Sequence, residues 1–451
     1  MTDDSRHGVE SAPTAPVKSP RKGTGTFSSQ SVRRRPRWLL WLGILGPGLV
    51  AASAGNDAGG IATYSSMGSQ FGYSMLWVMV VLTLGMGIVQ EMCARMGAVT
   101  GKGLSDLIRE NFPIRLTALV MLAFLLANGG VIVSEFIGIA AALALFHIPS
   151  YLGSPCAGIL LWWLVARGSY TRVEKIFLAL TLVFFAYFIA AFLAKPEWSQ
   201  VALGAFVPTI QFNGAYLLTL IAAVGTTISP YMQIYIQSAV VERGVSMREY
   251  GYQRIDVYSS AIFSNLVAAF IIIATAATLF VHSGGKGVAL GSAADAAVAL
   301  APFLGKYSTY IFALGLLGAS FLAAGVLPLS TCYSITEALG LENGVSRRWK
   351  EAPTFWTLFT FLIVVGVIVG MFPNLPVVQL LLNLYVLNGI LLPIVLFSIL
   401  YLVNSKRLMG KHTNGLVFNI LAYTLTIIVS LLALAYVVIQ VFSFFGIQLL
   451  G

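Results

Sequence analysis

Ala54-Gly55-Asn56-Asp57-Ala58-Gly59-Gly60 lies in the middle of the apolar run 39–67, and Gly225-Thr226-Thr227-Ile228-Ser229-Pro230 lies in the middle of the run 216–241. Small, turn-forming residues of this kind interrupt a helix. An interruption at membrane depth frees backbone carbonyls and amides that lipid cannot satisfy, so it persists only where it faces a cavity or a ligand. Paired breaks in corresponding positions of two halves point to the substrate site of a secondary transporter. The first break also carries a carboxylate, Asp57, and that combination reads as a pathway for a cation.

The surrounding composition requires a membrane. The chain is 58% hydrophobic and 10% charged, with a mean hydropathy of +0.85, outside the range of soluble domains. At about 20 residues per span, eleven candidate helices follow, at 39–67, 73–98, 115–146, 152–167, 173–194, 215–241, 255–281, 306–336, 353–372, 376–403 and 416–445. With the N terminus cytoplasmic, all of the 27 Lys and Arg except Lys195, Lys286 and Lys306 fall in the tail or on cytoplasmic loops and helix ends. That satisfies the positive-inside rule and leaves the C terminus extracellular.

The net charge of +10 is therefore a matter of topology. The basic residues are scattered over loops and form no interleaved patch, which excludes nucleic acid as a partner. Residues 1–37 read as a disordered, basic cytoplasmic tail, closed by Arg33-Arg34-Arg35-Pro36-Arg37 as an anchor for anionic lipid. Residues 38–451 read as a single transmembrane domain. Spans one to five and six to ten are taken as a five-plus-five repeat, each half beginning with its broken helix. Apart from the lipid bilayer, no obligate protein partner is evident. Cys93, Cys156 and Cys332 show no metal-ligand spacing. With no nucleophile–base pair and no His-based cluster, an enzyme is disfavoured and no cofactor is expected.

Charges at membrane depth are few, and each is informative. Asp57 reads as a metal ligand, a hard oxygen donor joined by unwound carbonyls from 54–56 and 225–228, or as the cap of the half-helix that follows; the two roles can coexist. Glu135 in span three reads either as a proton relay or path-lining group, or as a buried structural partner of Arg95 or another basic group. Glu91 and Arg95, four residues apart, read as a local ion pair. Glu337 closes span eight and reads as interfacial.

The stretches Gly46-Pro47-Gly48 through Gly60, 70–77, 94–102 with 107–109, Glu135-Phe136-Ile137-Gly138, and Ser229-Pro230-Tyr231 with Tyr235-Ile236-Gln237-Ser238 resemble the Nramp family of divalent-metal transporters. The resemblance runs from about residue 40 to 245. It implies an all-α integral membrane protein with the leucine-transporter fold, an inverted repeat and broken helices one and six, with metal held between the breaks.

The departures from the family pattern carry the specificity. Where the family has Asp-Pro-Gly-Asn, this chain has Asp57-Ala58-Gly59-Gly60; where it has Met-Pro-His, this chain has Ser229-Pro230-Tyr231. The later family His is Gln237, and an acid three residues before Glu135 is replaced by Ile132. Loss of the thioether removes the preference for soft ions, and a roomier pocket with one carboxylate suits a partly hydrated Mg2+. The missing acid and histidines strip out groups a proton relay would use. The pattern resembles the Nramp-related magnesium transporters of prokaryotes.

The resemblance and these departures together imply alternating-access transport of Mg2+, with Mn2+ as a second ion, across a prokaryotic plasma membrane and without tight proton coupling. Asp57 is the anchoring ligand, with Ala54, Asn56, Gly60, Thr226 and Ser229 completing the site. Glu135, Tyr231, Met232, Gln233, Gln237, Asn383, Tyr385 and Asn388 are pathway residues, although polar groups in such helices also serve helix-to-helix hydrogen bonds. The rival readings are a proton-coupled Mn2+ or Fe2+ importer using Glu135 and Met232, and a sodium-coupled amino-acid transporter on the same fold.

Overall fold

The computed structural model describes residues 55–168, 185–291, 307–372 and 377–445, together with 175, 176, 179 and 295. The tail 1–37, Ala54 with the first half of the first broken helix, and most of the span 173–194 lie outside the described residues. Regular structure among them is helical throughout: α1 Ala58–Phe71, α2 Leu76–Thr100, α3 Leu104–Asn111, α4 Ile114–Leu145, α5 Ser150–Arg167, α6 Phe185–Leu193, α7 Trp198–Phe206, α8 Gly214–Thr227, α9 Pro230–Glu242, α10 Tyr250–Thr275, α11 Tyr307–Leu339, α12 Pro353–Gly370, α13 Val377–Val403 and, after a single turn at Lys406–Met409, α14 Leu416–Phe444.

Eight helical stretches among the described residues are long and apolar enough to cross a membrane, and the chain is a multi-pass integral membrane protein. One stretch, Ala58–Thr100, is 43 residues long, too long for a single crossing at about 1.5 Å per residue. A 3-10 turn at Gly72–Met75 divides it, with Gly72 at φ 60°, a backbone conformation that glycine adopts without steric cost.

The helices are apolar almost all round, and burial sorts them. In the most apolar 18 residues of the stretch Gly214–Glu242, containing α8 and α9, 89% are buried, against 22% in those of α14; the second broken helix forms the core and α14 is peripheral. Leu84, Leu126, Ile159, Phe361 and Leu434 stand on outer faces suited to lipid. α4 packs on α11, α12 and α13, while α2 packs on α10 and α9, and α1 on α10, α8 and α13. The second members of the two halves (α2, α10) thus pair with each other, as do the third (α4, α11). That is the arrangement of an inverted repeat.

Loops gather at two ends. At one, Trp77 donates to the Thr209 carbonyl and Val288 to the Ser69 carbonyl, which brings together the loops of Lys195 and Lys286. At the other, Gln237 donates to the Lys102 carbonyl, Arg95 to that of His412, and the Ser346 amide to Glu242. The basic loops predicted to be cytoplasmic meet there.

Helix reaches further into both motifs than their composition suggests. α1 begins at Ala58, so Gly59 and Gly60 are helical, and α8 continues through Thr227, leaving only Ile228 and Ser229 between α8 and α9. Pro230 explains where the second break falls. It is pre-shaped for the first helical position, and it lacks the N–H that would have bonded the Thr226 carbonyl.

Gly225 serves contact rather than turning. A Cβ there would collide with the Tyr385 carbonyl oxygen and lie 2.7 Å from the Gly389 nitrogen, so α8 and α13 cross backbone to backbone. Gly225→Ala is expected to lower Tm in detergent, at an overpacking cost of about 1–3 kcal/mol. Gly251→Ala, with nothing within 4 Å of its Cβ position, leaves Tm unchanged or slightly raised.

Candidate functional site

The N terminus of α1 holds two carboxylates. Asp57 is its N-cap, with extended backbone, and its Oδ1 accepts from the Gly60 amide at 2.7 Å. Glu135 approaches from the middle of α4, its Oε2 accepting from the Ala58 amide at 3.1 Å and its Oε1 from the Ser134 hydroxyl at 3.3 Å. Both acids are fully buried. The first amides of a helix have no intrahelical acceptor and carry partial positive charge, so they attract anions. Here two anions share them.

Neither acid has a basic partner among the described residues. Arg95 pairs with Glu91 at 3.2 Å and also donates to the Asn414 side chain. That confirms the local pair and overturns the reading of Glu135 as a partner of Arg95. α12, which packs on α4, carries no charged residue along Pro353–Gly370. The site therefore leaves negative charge in a dry environment for protons or a cation to balance.

Oxygen atoms crowd around this helix end. The Gly55 carbonyl, Asp57 Oδ1 and Thr226 Oγ1 lie 2.5, 3.2 and 3.2 Å from the position a Cβ on Gly60 would occupy. Any side chain there would displace that oxygen cluster. Thr226 Oγ1 donates to the Gly55 carbonyl at 3.3 Å, which joins the two breaks. Asn56 is fixed by α10, its Nδ2 donating to the Ser264 carbonyl at 3.0 Å and hydroxyl at 2.8 Å, while its buried Oδ1 has no hydrogen-bond partner. Ser229 donates to the Gly225 carbonyl and, at 3.2 Å, to that of Thr226. These carbonyls lost their helical donors at the break. The Tyr385 hydroxyl donates to Asp57 Oδ2, and its ring lies over Gly59, where a Cβ would collide with ring carbon Cε2.

The remaining predicted residues separate into two groups. Tyr231, Met232, Gln233 and Gln237 are buried along α9. The Tyr231 carbonyl accepts from Ser330 at 2.8 Å. Gln233 donates to the Ser229 carbonyl at 3.5 Å and Gln237 to that of Lys102 at 2.9 Å, and the Oε1 of each has no partner. Asn388 is buried on α13 with neither side-chain polar atom partnered. Asn383, in contrast, is exposed on α13 and takes no part in this buried cluster. Ala54 lies outside the described residues.

Glu337 is buried rather than interfacial. It is only 4% exposed, because the α2–α3 loop folds across it, with Gly103 against its carboxylate. The sequence reading also missed Ser264 and Tyr64, whose hydroxyl shares a 3.1 Å hydrogen bond with Thr227. Each is an ordinary span residue whose relation to a break is purely tertiary. No group of three His, Cys, Asp or Glu among the described residues could hold a metal; what this helix end offers is two carboxylates and neutral oxygens.

Comparison with known proteins is consistent along the chain. The profile described as Nramp, "Natural resistance-associated macrophage protein-like", matches residues 48–439. The divalent metal cation transporter MntH of Ralstonia nicotianae is 29% identical over 439 residues, covering 91% of this chain and 96% of its own. The Eremococcus coleocola manganese transporter, as a histidine-to-alanine mutant, superposes with a TM-score of 0.74 at 22% identity, over 92% of this chain and 90% of that one. MhsT in complex with L-phenylalanine superposes with a TM-score of 0.54 at 16% identity, over 87% and 97%. The two structural likenesses speak to the fold, which is that of the leucine transporter.

Glu135→Gln keeps an acceptor for the Ala58 amide while removing one of the two charges. The metal-free variant is expected to melt above the wild type, and its Tm gain on adding Mn2+ to shrink. An unchanged Tm with an undiminished metal-induced gain contradicts repulsion between the two acids.

Proposed function

The chain belongs to the Nramp family, and we propose that it carries divalent metal ions by alternating access, Mg2+ foremost and Mn2+ second, without tight coupling to protons. The observation that supports this most is the pair of buried acids on one helix end with no basic partner among the described residues. Two carboxylates in a dry site match a doubly charged ion. They oppose the carboxylate of an amino acid, which such a fold otherwise holds on its free amides. The names of the relatives, a divalent metal cation transporter and a manganese transporter, agree with that ion class.

The preference for Mg2+ rests on the donors. Position 229 offers a hydroxyl, positions 231 and 237 a phenol and an amide, and none of these is the soft or imidazole donor that favours transition metals. Asp57 is already engaged by the Gly60 amide and the Tyr385 hydroxyl. An incoming ion therefore displaces Tyr385 or reaches Asp57 through water, and Mg2+ characteristically retains water in protein sites. Asn56, with its unpartnered oxygen, Thr226, Ser229, the space at Gly60 and the carbonyl of Ala54 complete the shell. The same reading puts domain 38–451 in a prokaryotic plasma membrane with the tail 1–37 cytoplasmic and the C terminus outside.

One observation favours a second reading. Met232 is buried on the first turn of α9, and Glu135, without a counter-ion among the described residues, is suited to carry a proton. Together they would make a proton-coupled Mn2+ importer.

Uptake into proteoliposomes separates the two. Mg2+ is expected to compete with Mn2+, Asp57→Ala to abolish transport of both, and Ser229→Met to raise Cd2+ uptake relative to Mg2+. The vesicle lumen is expected to keep its pH during metal uptake. Poor competition by Mg2+ together with good Cd2+ uptake contradicts the hard-ion assignment, and metal-driven acidification favours the importer.

A further inference from the structure

Below the second break, Ser229 at the N-cap of α9 and Gln233 and Gln237 within it lie four residues apart, hence on one face. The Oε1 atoms of both glutamines are buried without partners. This stripe leads to Ser238 and to a cavity of about 300 Å³ at the end of the bundle that bears Lys102 and Arg347. Three carboxylates from three elements line it: Asp106 of α3, Glu242 of α9 and Glu337 of α11.

Their partners account for some of that charge. Glu242 accepts from the Tyr333 hydroxyl and, at 3.3 Å, from the Ser346 amide. Asp106 pairs with Arg109 at 3.3 Å. Arg347, the one basic side chain in the lining, is drawn to Glu342 at 2.8 Å. Glu337 stands apart. Its Oε1 accepts from Ser238 at 2.7 Å, and the first amides of α3, at Ser105 and Asp106, face its carboxylate, yet its Oε2 makes no hydrogen bond of good geometry although the residue is only 4% exposed. A helix end offsets part of the cost of burying this charge, and the oxygen without a well-formed hydrogen bond is left for a cation to satisfy.

We infer that this cavity is a second divalent-cation site, an inner station that holds a hydrated ion through Glu337 and Asp106. The three acids do not form a group close enough to chelate directly, so water lies between ion and protein. An ion with six waters occupies roughly 180 Å³ at about 30 Å³ per water, which the cavity accommodates. The station's role, receiving the ion from Asp57 along the α9 stripe, rests on the transport reading; its binding does not require flux.

The test is equilibrium Mn2+ binding to the full-length protein in detergent, followed by the EPR signal of free Mn2+. Asp57→Ala is expected to retain one weak class of Mn2+ site that Mg2+ displaces. Adding Glu337→Gln is expected to weaken it about tenfold, as for loss of one favourable charge contact, and adding Asp106→Asn, on the facing wall, to do the same. Unaltered elution and Tm certify the folding of each variant, and Asp106→Asn decides if Glu337→Gln does not fold. Absence of the weak class in Asp57→Ala, or its indifference to both additional substitutions, overturns the inference. If Asp57→Ala instead keeps every class seen in the wild type while Glu337→Gln removes one, the inner station stands and the assignment of Asp57 falls.

Discussion

The free amides at the start of α1 are shared between Asp57 and Glu135, and the rest of the site is arranged around that sharing. A helix end contributes about 0.3–1 kcal/mol to an adjacent charge, and up to about 2 kcal/mol in favourable partly buried geometry. Removing a carboxylate from water costs several kcal/mol. One helix terminus therefore does not neutralise two buried acids. The hydroxyls of Ser134 and Tyr385 add hydrogen bonds but no positive charge, so the remainder falls to protons or a cation. Continuing the helix through Asp57 would consume the amides that hold both acids, which gives the break a structural as well as a functional reason to exist.

The two breaks are mechanically joined. Thr226 reaches the Gly55 carbonyl, and Tyr385 touches Asp57 while its backbone lies against Gly225. Movement of α8 or α13 thus alters the surroundings of Asp57 directly. On the side of Lys102, Gln237 holds the α2–α3 loop and Ser238 holds Glu337, which ties α9 to the elements that cover the site from that end. The proposed alternating access requires those contacts to yield.

Much of this was legible in the sequence because hydropathy and helix breaking are local properties. The long apolar runs, the position of the second break and the burial of a carboxylate at Asp57 followed from residue type alone. That Gly59, Gly60 and Gly225 are helical did not follow, because a glycine that turns a chain and a glycine that admits a neighbouring helix look the same in sequence. Gly59 and Gly225 proved to be of the second kind. Tyr385 and Asp57 are 328 residues apart and Asn56 and Ser264 are 208 apart, and no spacing rule connects such pairs. On α13, apolar residues on every side conceal which face turns inward, so Asn383 and Asn388 could not be told apart. Glu337 read as interfacial from its place at the end of a span, yet the α2–α3 loop encloses it.

On the proposed reading, a hard, incompletely dehydrated divalent ion sits between these breaks. Pulsed EPR of Mn2+, added below one equivalent to Glu337→Gln protein in isotopically labelled water, counts the water molecules bound directly to the ion in the Asp57 site. The account predicts that several remain. A dehydrated Mn2+ with a sulfur ligand from Met232 would contradict it.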